Sequence, residues 1–260
     1  MRKYILGLSG LLLIFSGLIF SSWKKSSSAG NQQSFHSNFS VQEAYLDYAR
    51  EIYKQAKLHQ AGLAFPVFEK ALTGYYNLKK SGKTSDRSLL TIADFDQLST
   101  RKRLYLIDLD AQKIVLNTWV AHGQRSGADE AVKFSNTNDS FSSSLGFYVT
   151  GEAYTGSHGK SLRLDGLDSG YNDNARLRSI VIHGAPYVSA ETISALGRLG
   201  RSQGCPAVAP ELCDQVINAL GDKSVLFINK SDKDYASPYL DEHAAAVYAQ
   251  ASASHNVDQN

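Results

Sequence analysis

The sequence is poor in cysteine. Two cysteines in 260 residues exclude a dense disulfide framework, and no Cys-x-x-Cys pair marks a structural zinc site. It is equally poor in net charge. Lys plus Arg number 27 against 25 acidic residues, leaving +2 with no basic run, so the electrostatic footprint of a nucleic-acid binder is missing. Its longest apolar run, Tyr4 to Phe20, falls short of the roughly 20 residues that a spanning helix needs, which argues against an integral membrane protein. No internal repeat is visible. What is present points to a globular body: 43% hydrophobic and 20% charged residues can build a core. Fourteen Tyr and 20 Gly suit a strand-and-loop enzyme body better than a helical bundle.

Arg2 and Lys3 precede the apolar run, and Ser27-Ser28-Ala29 offers small residues for cleavage before Gly30. Residues 1–29 therefore read as a secretory signal peptide, with an uncleaved N-terminal anchor as the alternative that Lys24 and Lys25 keep open. Either way the body is expected outside the cytoplasm, in the periplasm or cell envelope, and touches the membrane only through that segment. The run holds no cysteine, so a lipoprotein anchor is not supported.

Residues 30–38 read as a polar linker and 39–88 as a helical region packed on the body. Ser40 with Glu43 forms a capping-box pattern, and Val41, Ala44, Tyr45, Tyr48, Ala49, Ile52 and Ala56 recur at helical spacing, predicting a helix over 41–59. A second helix starts at Pro66, buries Phe68, Ala71, Leu72 and Tyr75, and stops at Gly82 after Lys79 and Lys80. Residues 89–235 read as the catalytic domain. Runs at 103–108 and 114–121 predict a hairpin, with further strands at 147–150, 179–182 and 225–229, a short helix from 209 to 221, and loops at 122–144 and 151–175. Residues 236–260 read as a C-terminal tail, frayed or weakly helical. The fold class is α+β: two helices, then a mostly β body.

The candidate chemistry lies in Ser202-Gln203-Gly204-Cys205-Pro206 and in His183-Gly184, which ends a strand. A cysteine that attacks a carbonyl needs an imidazole to take its proton and donors for the oxyanion. A glycine beside it lets backbone approach substrate. Taken alone, a Gly-Cys pair and a strand-end histidine are more often structural. The longer strings "SIVIHGAPYVS" and "GRLGRSQGCPAV", with "AHGQRSG" upstream, resemble the L,D-transpeptidase family, the YkuD-type murein cross-linking enzymes, over about residues 103–229.

The resemblance implies Cys205 as nucleophile, His183 as base, the Gly184 carbonyl as the group that orients it, and the amides of Gly204 and Cys205 as oxyanion hole. It implies a peptidoglycan tetrapeptide stem as acyl donor, an acceptor amine, and no metal or organic cofactor. Water as acceptor would give an L,D-carboxypeptidase instead, and a cysteine peptidase of another class would use the same Cys205 and His183, whereas the intact Cys205, His183 and Gly204 set argues against a non-catalytic wall-binding module that kept the fold. Gln203 and Pro206 depart from the family pattern. Ser202, Arg201, Tyr154, His122 and His158 are candidate substrate contacts, with Arg201 a candidate for a missing cation. A zinc site from His122, His158 and His183 lacks compact ligand spacing. Cys213 falls on the apolar stripe of the short helix and reads as a core thiol. Asp165 and Asp168 read as turn residues. A Cys205–His183 pair is expected to rest partly as thiolate and imidazolium.

Overall fold

The computed structural model describes residues 29–221 and 223–257, with side chains from Ser40 to Ser252. The expected signal or anchor segment, residues 1–29, lies outside them except for Ala29. Three helices and an eight-stranded sheet carry the main core. The first helix, α1 (Ala29–Gln55), begins earlier than expected, so residues 30–38 continue a helix instead of forming a linker. The segment is polar, but after Gly30 it holds no glycine or proline to break a helix. Ser40 consequently lies inside α1 and does not cap it. Helix α2 (Phe65–Lys80) has Pro66 in its first turn, and Gly82, at φ +67°, follows its end.

The strands are β1 (Leu89–Asp94), β2 (Leu104–Asp108), β3 (Lys113–Thr118), β4 (Gly146–Gly156), β5 (Gly159–Gly166), β6 (Val181–Gly184), β7 (Ala207–Val208) and β8 (Val225–Asn229). Their order in the sheet is β3-β2-β1-β8-β4-β5-β6-β7. Pairing is antiparallel except for β1 with β8 and β6 with β7. Helices α3 (Ala190–Leu196), α4 (Pro210–Leu220) and α5 (Glu242–Val257) complete the fold.

The central strands are buried on both faces, and alternation sorts their side chains into two cores. Leu90, Ile92, Tyr105, Ile107, Phe147 and Phe227 face α1, α2 and α5. Leu104, Leu106, Tyr148, Leu226 and Ile228 face the other way, with Val216, Ile217 and Leu220 of α4. Gly74 makes the first packing possible: a Cβ there would sit 2.0 Å from the Phe147 ring.

Two segments differ from the sequence expectation. Residues 151–175 hold the rest of β4 and all of β5, a hairpin closed by Ser157-His158, with Gly159 at φ +73°. Its outer face is polar, so it lacks the apolar run that marks a buried strand: Glu152 pairs with Arg163 at 2.9 Å and with Arg176 at 3.0 Å, and Arg176 also binds Asp165. The tail after β8 takes the helical alternative over Glu242–Val257, and it is packed on the body instead of frayed. Asn77, buried on α2, donates to the carbonyls of Tyr239 and Asp241 at 2.8 Å each, and α5 buries Ala245 and Ala246 in the helical core. Asp168 is a structural carboxylate. It accepts from the Phe147 N–H at 2.7 Å and from the Tyr235 and Ser237 hydroxyls at 2.6 Å, while burial pushes its pKa up.

Candidate active site

The parallel pairing of β6 with β7 places His183 opposite Ala207. Cys205 lies two residues before Ala207, so this register brings both ends of the motif to one corner of the sheet. The loop before β7 is built against residues 121–123: Ser202 N donates to His122 O at 3.0 Å, and Ala121 N donates to Ala207 O at 2.8 Å. Gly204 sits at φ +127°, where a Cβ would meet Ser142 O at 2.8 Å, so only glycine fits without strain.

Cys205 and His183 line one open cleft of about 470 Å³, together with Tyr154, His158, Tyr187 and Arg178. His183 is 3% exposed, and its Nδ1 lies 3.0 Å from the Gly184 carbonyl. That contact assigns the proton to Nδ1 and leaves Nε2 as the basic nitrogen. The Cys205 thiol is directed at the Ser179 carbonyl, Sγ···O 3.7 Å, and makes no hydrogen bond to His183 among the described residues. Burial pushes the thiol pKa up, against opposing help from the Val181 backbone and the Arg178 charge. Burial also pulls His183 down, with His158 acting in the same direction and the Gly184 carbonyl against it. Both environments favour the neutral forms, against the expected thiolate–imidazolium rest state.

The expected oxyanion pair is altered. The Gly204 N–H donates to Ser202 Oγ at 3.0 Å, and that hydroxyl donates to Cys205 O at 2.6 Å. The Gly204 amide is thus spent inside the turn, and Ser202, 5% exposed, is a clip across it. The Cys205 N–H has no hydrogen-bond acceptor among the described residues. Arg201 lines the cleft but donates to the carbonyls of Gln124 at 3.1 Å and Gly127 at 2.7 Å.

The cation whose charge acts on the thiol is Arg178, which the sequence reading did not single out. It ties down residues 135–144 through Ser135 O and Ser142 O at 2.7 Å each and through the Ser140 and Ser144 hydroxyls. Tyr187 was also missed. Its hydroxyl pKa is pushed up to about 12 by burial and by Cys205. Tyr154 lies on the cleft wall with Arg163 stacked 4.5 Å from its ring centroid. His158 stacks on His183 with ring centroids 4.4 Å apart.

His122 does not face the cleft. It is fully buried, accepts from Arg103 at 2.8 Å on Nδ1, and is pulled down to about pH 4 by burial and by the Arg103 charge. The loop carrying it turns inward because Arg103, also fully buried, needs acceptors: it takes Val120 O, Gln97 O and this imidazole. Cys213 is a buried free thiol, 3.4 Å from Lys160 O, and Cys205 is likewise unbridged. Among the described residues no three His, Cys, Asp or Glu side chains converge to hold a metal.

A fold with this cleft belongs to a defined class. The family model for the L,D-transpeptidase catalytic domain matches residues 59–229, more than half of the chain, and the chain belongs to that family. Among solved structures it is similar to an L,D-transpeptidase from Mycobacterium smegmatis, at 11% identity and TM-score 0.35, covering 55% of this chain and 59% of that one. It is also similar to an L,D-transpeptidase from Mycobacterium tuberculosis, at 14% identity and TM-score 0.33, covering 55% and 58%. The helical cell shape determining protein Pgp2 from Campylobacter jejuni matches at 16% identity and TM-score 0.37, covering 72% of this chain and 66% of that one. The chain spans less than two thirds of the two mycobacterial chains. No curated protein sequence matches it.

Proposed function

We propose that this protein is an exported cysteine acyltransferase that cross-links peptidoglycan. In this reading Cys205 Sγ attacks the carbonyl of the bond before the terminal D-residue of a tetrapeptide stem. His183 Nε2 takes the thiol proton as the C–S bond forms. The Cys205 N–H donates to the developing oxyanion, with Arg178 supplying positive charge nearby. Collapse of the adduct breaks the C–N bond, and His183 returns the proton to the leaving amine. An acceptor amine then displaces the thiolate sulfur from the thioester, restoring the free thiol. Because the local environment favours a neutral thiol and a neutral imidazole, proton transfer accompanies attack instead of preceding it.

The observation that carries this reading is one cleft holding both Cys205 and a His183 whose Nδ1 is tied to the Gly184 carbonyl. The test is mass spectrometry of purified muropeptides incubated with the full chain and with Cys205→Ala. Cross-linked dimers from the wild type and none from a folded Cys205→Ala protein are expected. Trimmed stems without dimers would assign water as the acceptor. Turnover of a protein digest but not of muropeptides would move the activity to another peptidase class, and full activity in Cys205→Ala would remove the covalent route.

A further inference from the structure

The β4–β5 hairpin does more than close the sheet. Its two-residue turn carries His158, an exposed side chain, onto the ring of the buried His183. The two imidazoles are 4.4 Å apart with planes inclined by 26°, a stacked pair. The hairpin is braced for this. Gly156 pairs with Gly159 at its tip, Ser161 on β5 lies opposite His183 on β6, and Lys160 donates to Asn218 of α4 at 2.7 Å. A flexible loop would not need the Glu152 pairs to Arg163 and Arg176 at its base.

We propose that His158 is a positioning residue for His183, fixing the ring plane of the base by stacking and admitting a proton there only while its own ring is neutral. This rests on the function proposed above. Two stacked imidazolium rings repel, so a proton on His158 opposes the proton that His183 must take from the thiol. Other titratable groups on the elements around β6 are Lys160, Arg163 and Asp165 on β5, Glu211, Cys213 and Asp214 on α4, and Cys205, Tyr187 and Arg178 in the cleft. Lys160 is drawn toward Asp214, 3.8 Å away, and Cys213 lies against Gly184. None of these stacks on His183.

The experiment compares the full chain with His158→Ala and His158→Phe. Phe keeps an aromatic plane and cannot be charged. With muropeptide substrate, His158→Ala should lower kcat roughly tenfold or more with KM nearly unchanged, and His158→Phe should restore most of kcat. NMR titration of the His183 ring needs no turnover, and its midpoint should move up in His158→Phe. The proposal is overturned if His158→Phe is as slow as His158→Ala, if KM alone rises, or if the His183 titration is the same in His158→Phe as in the wild type. Residual activity in Cys205→Ala would defeat the functional reading while leaving the NMR result to judge the stack.

Discussion

At the scale of single residues, burial in the cleft favours the neutral forms of Cys205 and His183. The sign follows from the directions: a raised thiol pKa and a lowered imidazole pKa both disfavour charge near neutrality. Alkylation of Cys205 by iodoacetamide should therefore rise through or above the ordinary cysteine range of roughly 8.5, with no plateau of reactivity at acid pH. A pH-independent fast phase below about pH 6.5 would instead indicate a preformed ion pair. His122 gives a different pH signature. Its folded pKa, about 4, lies below the ordinary histidine value, so the unfolded chain binds the extra proton as pH falls. Stability should be complete above about pH 6.5 and decline toward pH 4, by up to roughly 3 kcal/mol. Chemical denaturation at pH 7 and 4.5 measures this, and His122→Asn, which keeps an acceptor for Arg103, should flatten that contribution. Cys213→Ser should cost roughly 1 to 3 kcal/mol if the hydroxyl finds no partner, without loss of turnover. Cys205, His183 and Gly184 stood out as candidates only through the longer strings around them, since a Gly-Cys pair or a strand-end histidine alone carries little signal. Arg178 and Tyr187 were not, since their value lies in what they touch. An arginine before a strand carries no sign that it will clamp two serine carbonyls and two serine hydroxyls beside a thiol.

At the scale of elements, legibility followed the strength of the apolar pattern. Helix α2 announced itself through Pro66, its buried stripe and Gly82, and the strands at β2 and β8 through unbroken apolar runs. The β4–β5 hairpin hid because its outer face is charged, and α5 hid because alanine and serine on every side leave no stripe to read. Its burial comes from the partners it finds, which the local sequence does not contain. One glycine tests the packing directly. Gly74→Ala should raise helix propensity by about 1 kcal/mol, yet it forces a Cβ into the Phe147 ring. Net destabilisation of roughly 1 to 3 kcal/mol is expected in a denaturant melt. A more stable Gly74→Ala protein would mean that the ring moves away freely.

At the scale of the whole molecule, the segment after β8 belongs to the helical core. Deleting residues 236–260 removes the two carbonyls that satisfy Asn77, the Ser237 hydroxyl on Asp168, and the cover over α1 and α2. A loss of at least about 3 kcal/mol, or failure to melt cooperatively, is expected by calorimetry. The same architecture governs when the chain can fold. Strand β1 lies between β2, its near neighbour in sequence, and β8, whose first residue is Val225. The central sheet therefore stays open along one edge of β1 until nearly the whole chain has emerged from the ribosome. Pairings that distant close slowly, because the chain must give up loop entropy before they form. A nascent chain of this design stays unlocked through most of its synthesis and commits to its fold only when β8 arrives.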